Sequence, residues 1–114
     1  MLTLYGIPNC DTCRKARKWL DAHSVDYRFH DLRAAGLDRS TVESWAAKLD
    51  WQTLLNTRST TWRGIPDARK KDLTTDKAMT LMLENPTLVK RPVAERTGEI
   101  LVGFAADRYR DFFA

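Results

Sequence analysis

Cys10 and Cys13, in the run Cys10-Asp11-Thr12-Cys13, are the residues of this chain best suited to chemistry. A thiol reacts as its thiolate, and two thiols this close can exchange with one disulfide. Cys10 follows a Pro8-Asn9 turn, and Cys13 enters a helix-like stretch carrying Arg14, Lys15, Arg17 and Lys18. The unpaired N–H groups and positive macrodipole end at a helix start favour thiolate; the four cations add to this and Asp11 opposes it. Cys10, nearer the helix end and solvent, is the expected nucleophile, with a pKa below that of a free thiol.

Two other roles for a cysteine pair compete with this one. A zinc site usually needs four ligands, and only His23 and His30 could complete one here, neither at a familiar finger spacing, so no metal is expected. Inert, buried cysteines are common, but such pairs rarely fall between a Pro-Asn turn and a basic helix. Redox or nucleophilic chemistry is the stronger expectation.

The rest of the composition narrows the setting. At 114 residues the chain has room for one domain with a real core, and 43% apolar residues with four Trp argue for a folded globule. No apolar run approaches the ~20 residues of a membrane span, and the first residues read as a strand, not as a signal peptide, so a cytoplasmic protein is expected. In that reducing compartment a close cysteine pair is more often catalytic or redox-sensing than a structural staple. The net charge of +4 suits anionic small molecules, glutathione among them. No run of five or more bases exists, so nucleic-acid binding is not the expected role.

Elements must hold the cysteines in place. Leu2-Thr3-Leu4-Tyr5 reads as a strand, Gly6-Ile7-Pro8-Asn9 as the turn that ends it, and Thr12 to Ala22 as a helix burying Cys13, Ala16 and Leu20 with Trp19 beside them. Val25 to His30 alternates apolar with polar, a second strand, so a βαβ unit with parallel pairing is expected. His30, on its polar side, is expected to be an ordinary surface histidine.

Between Arg33 and Pro86 strand signals cease and helices are expected instead. One is capped by Asp38 with Leu37 as its staple and buries Val42, Trp45 and Leu49; a short turn of helix follows at Trp51 to Leu55. Asn56 to Thr61 lacks periodicity and reads as a loop, with Gly64-Ile65-Pro66 as a break. Thr74 is expected to cap a last helix with Ala78, Met79, Leu81 and Met82 inward, ended by Asn85-Pro86. Beyond it, Val93 to Glu95 and Ile100 to Val102 flank the Thr97-Gly98 turn as a hairpin. Gly103 then frees the chain for a final helix with Ala105, Tyr109 and Phe112 inward.

A Cys-X-X-Cys after a first strand, a βαβ unit, a helical insertion at 33–86 and a final ββα resemble the thioredoxin superfamily: an α/β fold over 1–114, in one domain. Three stretches resemble more closely the family of arsenate reductase (ArsC), Spx and YffB, its YffB branch above all. They are Gly6 to Lys15, Leu55-Asn56-Thr57-Arg58 and Lys90-Arg91-Pro92. The resemblance implies that Cys10 is the reactive cysteine, that Arg58 and Arg91 bind an anion such as glutathione, and that Arg91-Pro92 is a cis bond beside Cys10. Two guanidiniums at one thiolate would lower its pKa and offer a planar fork to an oxyanion. The Val89-to-Arg91 backbone is then expected to be free to pair with an extended peptide such as glutathione.

Three functions follow from that resemblance. The first is a glutathione-dependent thiol reductase acting on a small or protein disulfide, with Cys13 or a second glutathione resolving the mixed disulfide and no bound cofactor. The second is an Spx-like redox-sensing regulator that binds RNA polymerase. The third is an arsenate reductase, although the further arginine that such enzymes carry after the hairpin is replaced here by Gly103-Phe104-Ala105.

Overall fold

Buried Leu2, Leu4 and Gly6 alternate with half-buried Thr3 and Tyr5, the period of a strand with one face on a core. The computed structural model describes all 114 residues. In chain order the elements are β1 (Leu2–Gly6), α1 (Asp11–Ala22), β2 (Tyr27–Asp31), α2 (Leu32–Ala35), α3 (Arg39–Lys48), α4 (Trp51–Leu54), α5 (Thr60–Arg63), α6 (Thr75–Glu84), β3 (Val93–Arg96), β4 (Glu99–Val102) and α7 (Ala106–Phe112), with single 3₁₀ turns at Asp67–Arg69 and Pro86–Leu88. They divide into two units, Met1–Ala35 with Arg91–Ala114, and Gly36–Lys90.

The first unit is a four-stranded sheet in the order β2-β1-β3-β4. β1 runs parallel to β2, with Tyr5 opposite His30, and antiparallel to β3, with Tyr5 opposite Val93. This is the expected thioredoxin-like βαβ…ββα arrangement. Leu2, Leu4, Ala16, Leu20, Ala94 and Tyr109 form the buried cluster, joining β1, α1, β3 and α7, with Trp19, Phe104 and Phe113 packed on it. Burying one such leucine stabilises by about 1.5–3 kcal/mol, so this cluster is what fixes α1 against the sheet.

β2 starts two residues later than the alternation suggests, and the cause is local. Ser24 takes a left-handed φ of 57° and the Val25 N–H returns to Leu20 O at 3.0 Å. Val25 is thus spent closing α1, in the manner of a Schellman ending. At the other end of β2, the Asp31 carboxylate accepts from the N–H groups of Arg33 (2.9 Å) and Ala34 (3.3 Å), which starts α2, a turn that apolar spacing cannot reveal.

The second unit carries the helices expected between Arg33 and Pro86, with its bounds at Gly36 and Lys90. Its end extends past Pro86 because Leu55 bridges Val89: the Asn56 N–H reaches Leu88 O and the Lys90 N–H reaches Leu54 O, both at 2.7 Å. Val42 and Trp45 are buried on α3, and Leu49 caps its end. Asp38 is the N-cap residue of α3 but forms no cap hydrogen bond, whereas the Thr74 hydroxyl accepts from the Lys77 N–H at 3.2 Å and starts α6. The loop expected over Asn56 to Thr61 gives way to α5 at Thr60. Ser59 Oγ accepts from the Trp62 N–H at 3.1 Å, and four residues are too few to show helical periodicity.

Candidate functional site

Cys10 is the N-cap of α1, with extended backbone (φ −100°, ψ 124°), and its carbonyl accepts the first helical hydrogen bond from the Arg14 N–H at 2.9 Å. The thiol is therefore held at the positive end of a 12-residue helix, half-buried. Cys13, one turn on, is fully buried at 0% exposure. Both are free thiols. Cys13 lies over the end of β1: a Cβ on Gly6 would fall 2.5 Å from its sulfur, closer than real Cβ atoms come.

These two thiols are driven apart electrostatically. Burial alone would raise the Cys10 pKa; the Cys13 N–H, the Cys13 thiol, and the hydrogen bond and charge of the Arg91 guanidinium outweigh it, and Cys10 is held below the ordinary thiol value. The Cys13 N–H acts on the sulfur without making a regular cap hydrogen bond. For Cys13, burial dominates and the neighbouring Cys10 adds to it, while the Ile7 N–H and Arg91 oppose; the thiol is pushed up to about 12. The arrangement sets a sulfur in which the thiolate is favoured beside one in which the thiol is favoured, the condition for assigning opposite roles to two like groups.

Arg91 and Pro92 meet the expectation in position. The Arg91-Pro92 bond is cis, Arg91 acts directly on Cys10, and Pro92 O accepts from the Gly103 N–H at 2.8 Å. Arg58 belongs to the Gly36–Lys90 unit, in the turn before α5, where its N–H donates to Asn56 Oδ1 at 3.0 Å and its carbonyl accepts from Arg63 Nη2 at 3.3 Å. The cations of α1 contribute less to Cys10 than their proximity in sequence suggests. Arg14 is paired with Asp11 at 2.6 Å, and Arg17 donates to the Tyr27 hydroxyl at 3.2 Å and lies 4.3 Å over the Phe29 ring. His30 is half-buried beside Tyr5, ring centroids 4.8 Å apart.

The free backbone expected from Val89 to Arg91 is a correction. The Val89 N–H closes the Pro86–Leu88 turn onto Pro86 O at 3.2 Å and the Lys90 N–H is engaged with Leu54 O at 2.7 Å, so two of the stretch's three N–H groups are already used. Three residues of the cysteines' own unit had no functional signal of their own in the sequence. Gly6 reads only as a turn residue, and Tyr109 only as one inward position of a helix. Arg108 places Nη1 3.8 Å from where a Gly103 Cβ would stand, bringing a guanidinium to the very segment that lacks an arginine in sequence.

The chain is similar to known proteins along its whole length. A model of the ArsC family matches residues 5–112. A solved YffB protein is 49% identical, with each chain covered over 100% of its length and a TM-score of 0.96. An uncharacterized protein of Haemophilus influenzae is 42% identical over the whole of both chains. The global transcriptional regulator Spx of Streptococcus pyogenes is 31% identical, the match covering 100% of this chain and 86% of the regulator.

Proposed function

The chain belongs to the ArsC family, and on that premise we propose that it is a glutathione-dependent thiol–disulfide reductase in which Cys10 is the nucleophile. The Cys10 thiolate attacks one sulfur of a substrate disulfide; that S–S bond breaks and the other sulfur leaves as a thiolate that takes up a proton. The mixed disulfide on Cys10 is cleared either by Cys13, which releases the bound thiol and forms Cys10–Cys13, or by glutathione directly. Over the cycle two glutathione thiols become one disulfide, and two electrons and two protons pass to the substrate.

The observation that carries this reading is the opposite displacement of the two thiols, Cys10 lowered and Cys13 pushed up to about 12. A staple would need no such asymmetry. Arg91 is assigned to stabilise the Cys10 thiolate and orient an anionic partner through its planar fork, with Pro92 holding the turn that presents it. Arg58 is assigned to anion binding on the strength of its Asn56-Thr57-Arg58 motif. Mass spectrometry of the protein incubated with oxidised glutathione tests the core of this reading. The Cys13→Ser variant should hold one glutathione on Cys10 and Cys10→Ser should take none; an adduct on Cys13, or no adduct on either, would remove it.

Two observations favour other readings. The match to Spx along the whole chain favours a redox-sensing regulator that binds RNA polymerase, for which co-purification of polymerase with the oxidised but not the reduced protein is the test. Arg108 beside Gly103 favours arsenate reduction, since it offers a donor where the sequence alone shows none. Turnover of arsenate with glutathione, abolished by Arg108→Ala, would support it.

A further inference from the structure

Tyr109 is among the largest fully buried side chains, at 0% exposure, and its hydroxyl has no hydrogen-bond partner. Its ring is held on three sides, by Trp19, Phe104 and Phe113, with centroids 5.5, 4.7 and 5.7 Å away. It belongs to the same cluster as Ala16 and Leu20, the two residues that continue the buried Cys13 face of α1. A phenol that is buried and aromatically clamped, yet has an unused O–H, is costly to keep unless that O–H serves another state of the protein. The neighbouring group that changes charge during the proposed cycle is Cys13, and the two feel each other electrostatically.

We propose that the Tyr109 hydroxyl is a positioning group for Cys13: it donates a hydrogen bond to the Cys13 sulfur as that sulfur becomes anionic, and so sets the rate at which Cys13 displaces a thiol from Cys10. The inference rests on the reductase reading. In the step concerned, Cys13 loses its proton and attacks Cys10 Sγ of the mixed disulfide. The Cys10–S–S–R bond breaks, the Cys10–Cys13 bond forms, and the departing thiolate takes up a proton, so no outside oxidant is needed. Tyr109 stays protonated throughout, since burial and the nearby Cys13 raise its pKa above the ordinary phenol value against a weaker opposing pull from Arg108. It acts as a donor and not as a base. The ionisable groups that act on Cys13 are Cys10 and Arg91, with Tyr109 from α7; the sheet contributes the apolar Leu2, Leu4 and Ala94. The hydroxyl and the neutral Cys13 thiol are not in bonding geometry at rest; a thiolate is a far stronger acceptor than a thiol and draws the two together in the reacting state.

Tyr109→Phe removes one oxygen and keeps the ring. With dithionitrobenzoate as probe, Cys10 releases one coloured thiol on attack and Cys13 releases the second on resolution. The expected result is a first release unchanged, a second release slowed about tenfold at pH 7 with its pH profile moved upward, and a melting temperature equal to or above that of the native chain. An unchanged second release and pH profile would overturn the proposal, and so would a lowered melting temperature, which would mean that the hydroxyl has a partner at rest. In the Cys10→Ser background, iodoacetamide alkylation of Cys13 as a function of pH gives an arm that needs no resolution step. Slower alkylation in Tyr109→Phe supports the proposal, and equal alkylation overturns it. Absence of a first release from the native chain would instead sink the reductase reading, with the alkylation arm still reporting on Tyr109.

Discussion

Cys13 occupies space that Gly6 leaves open, its sulfur 2.5 Å from the position a Gly6 Cβ would take. The two residues sit on β1 and α1, so a side chain at Gly6 would force the sulfur, the helix or the strand to move. Cys13 is fully buried and cannot swing into solvent to make room.

Gly6→Ala should therefore lower the unfolding free energy by about 1–3 kcal/mol, the usual cost of overpacking. Urea denaturation measures it. Adding Cys13→Ala, which deletes the clashing sulfur, should recover most of the loss; additive losses in the double variant would show that the clash is elsewhere.

Arg91 acts on Cys10 through both a hydrogen bond and its charge, and both lower the thiol pKa. In Arg91→Met, the pH midpoint of Cys10 alkylation should rise toward the ordinary thiol range and the rate at pH 6 should fall. Arg91→Lys, which keeps the charge and loses the planar fork, should fall between the two. Measured in the Cys13→Ser background, an Arg91→Met midpoint equal to that of native Arg91 would remove its assigned role.

The split pair also predicts how stability depends on pH. A thiol lowered on folding, like Cys10, contributes stability that is present above its unfolded pKa and lost as pH falls through the folded one. A thiol raised on folding, like Cys13, contributes stability that is present below its unfolded pKa and lost as pH rises toward the folded value of about 12. Compared with the native chain, Cys13→Ser should lose less stability between pH 9 and 12, with a slope difference of up to about 1.4 kcal/mol per pH unit. Cys10→Ser should remove the gain on the acid side. Chemical denaturation at fixed pH values resolves the two.

Helix caps give a contrast independent of chemistry. Thr74→Ala removes the hydroxyl that accepts from the Lys77 N–H and should cost about 1 kcal/mol. Asp38→Ala removes a side chain that makes no cap hydrogen bond and should cost a few tenths at most. Equal costs in thermal denaturation would contradict the assigned capping.

Much of the scaffold was legible from local pattern. The alternation of Leu2 and Leu4, the spacing of Cys13, Ala16 and Leu20, the Thr97-Gly98 turn and the Thr74 cap each report on a few adjacent residues, and each produces the expected element. Cys10 at the start of α1 was legible for the same reason. Two of the three four-residue helices were not: α2 and α5 are single turns started by the Asp31 carboxylate and the Ser59 hydroxyl, too brief for a period to show.

The character of the site lay beyond local pattern. The two arginines adjacent to Cys10 in sequence are engaged, Arg14 with Asp11 and Arg17 with Tyr27 and Phe29, while the guanidinium that helps lower its pKa comes from Arg91, just before β3, which pairs with β1. Whether a thiol is lowered or raised depends on burial and on charges within a few ångströms in space. The helix start marks Cys10 out in the sequence, but the size of the split between two cysteines three residues apart is set by the tertiary structure, which leaves one half-buried beside Arg91 and presses the other onto Gly6.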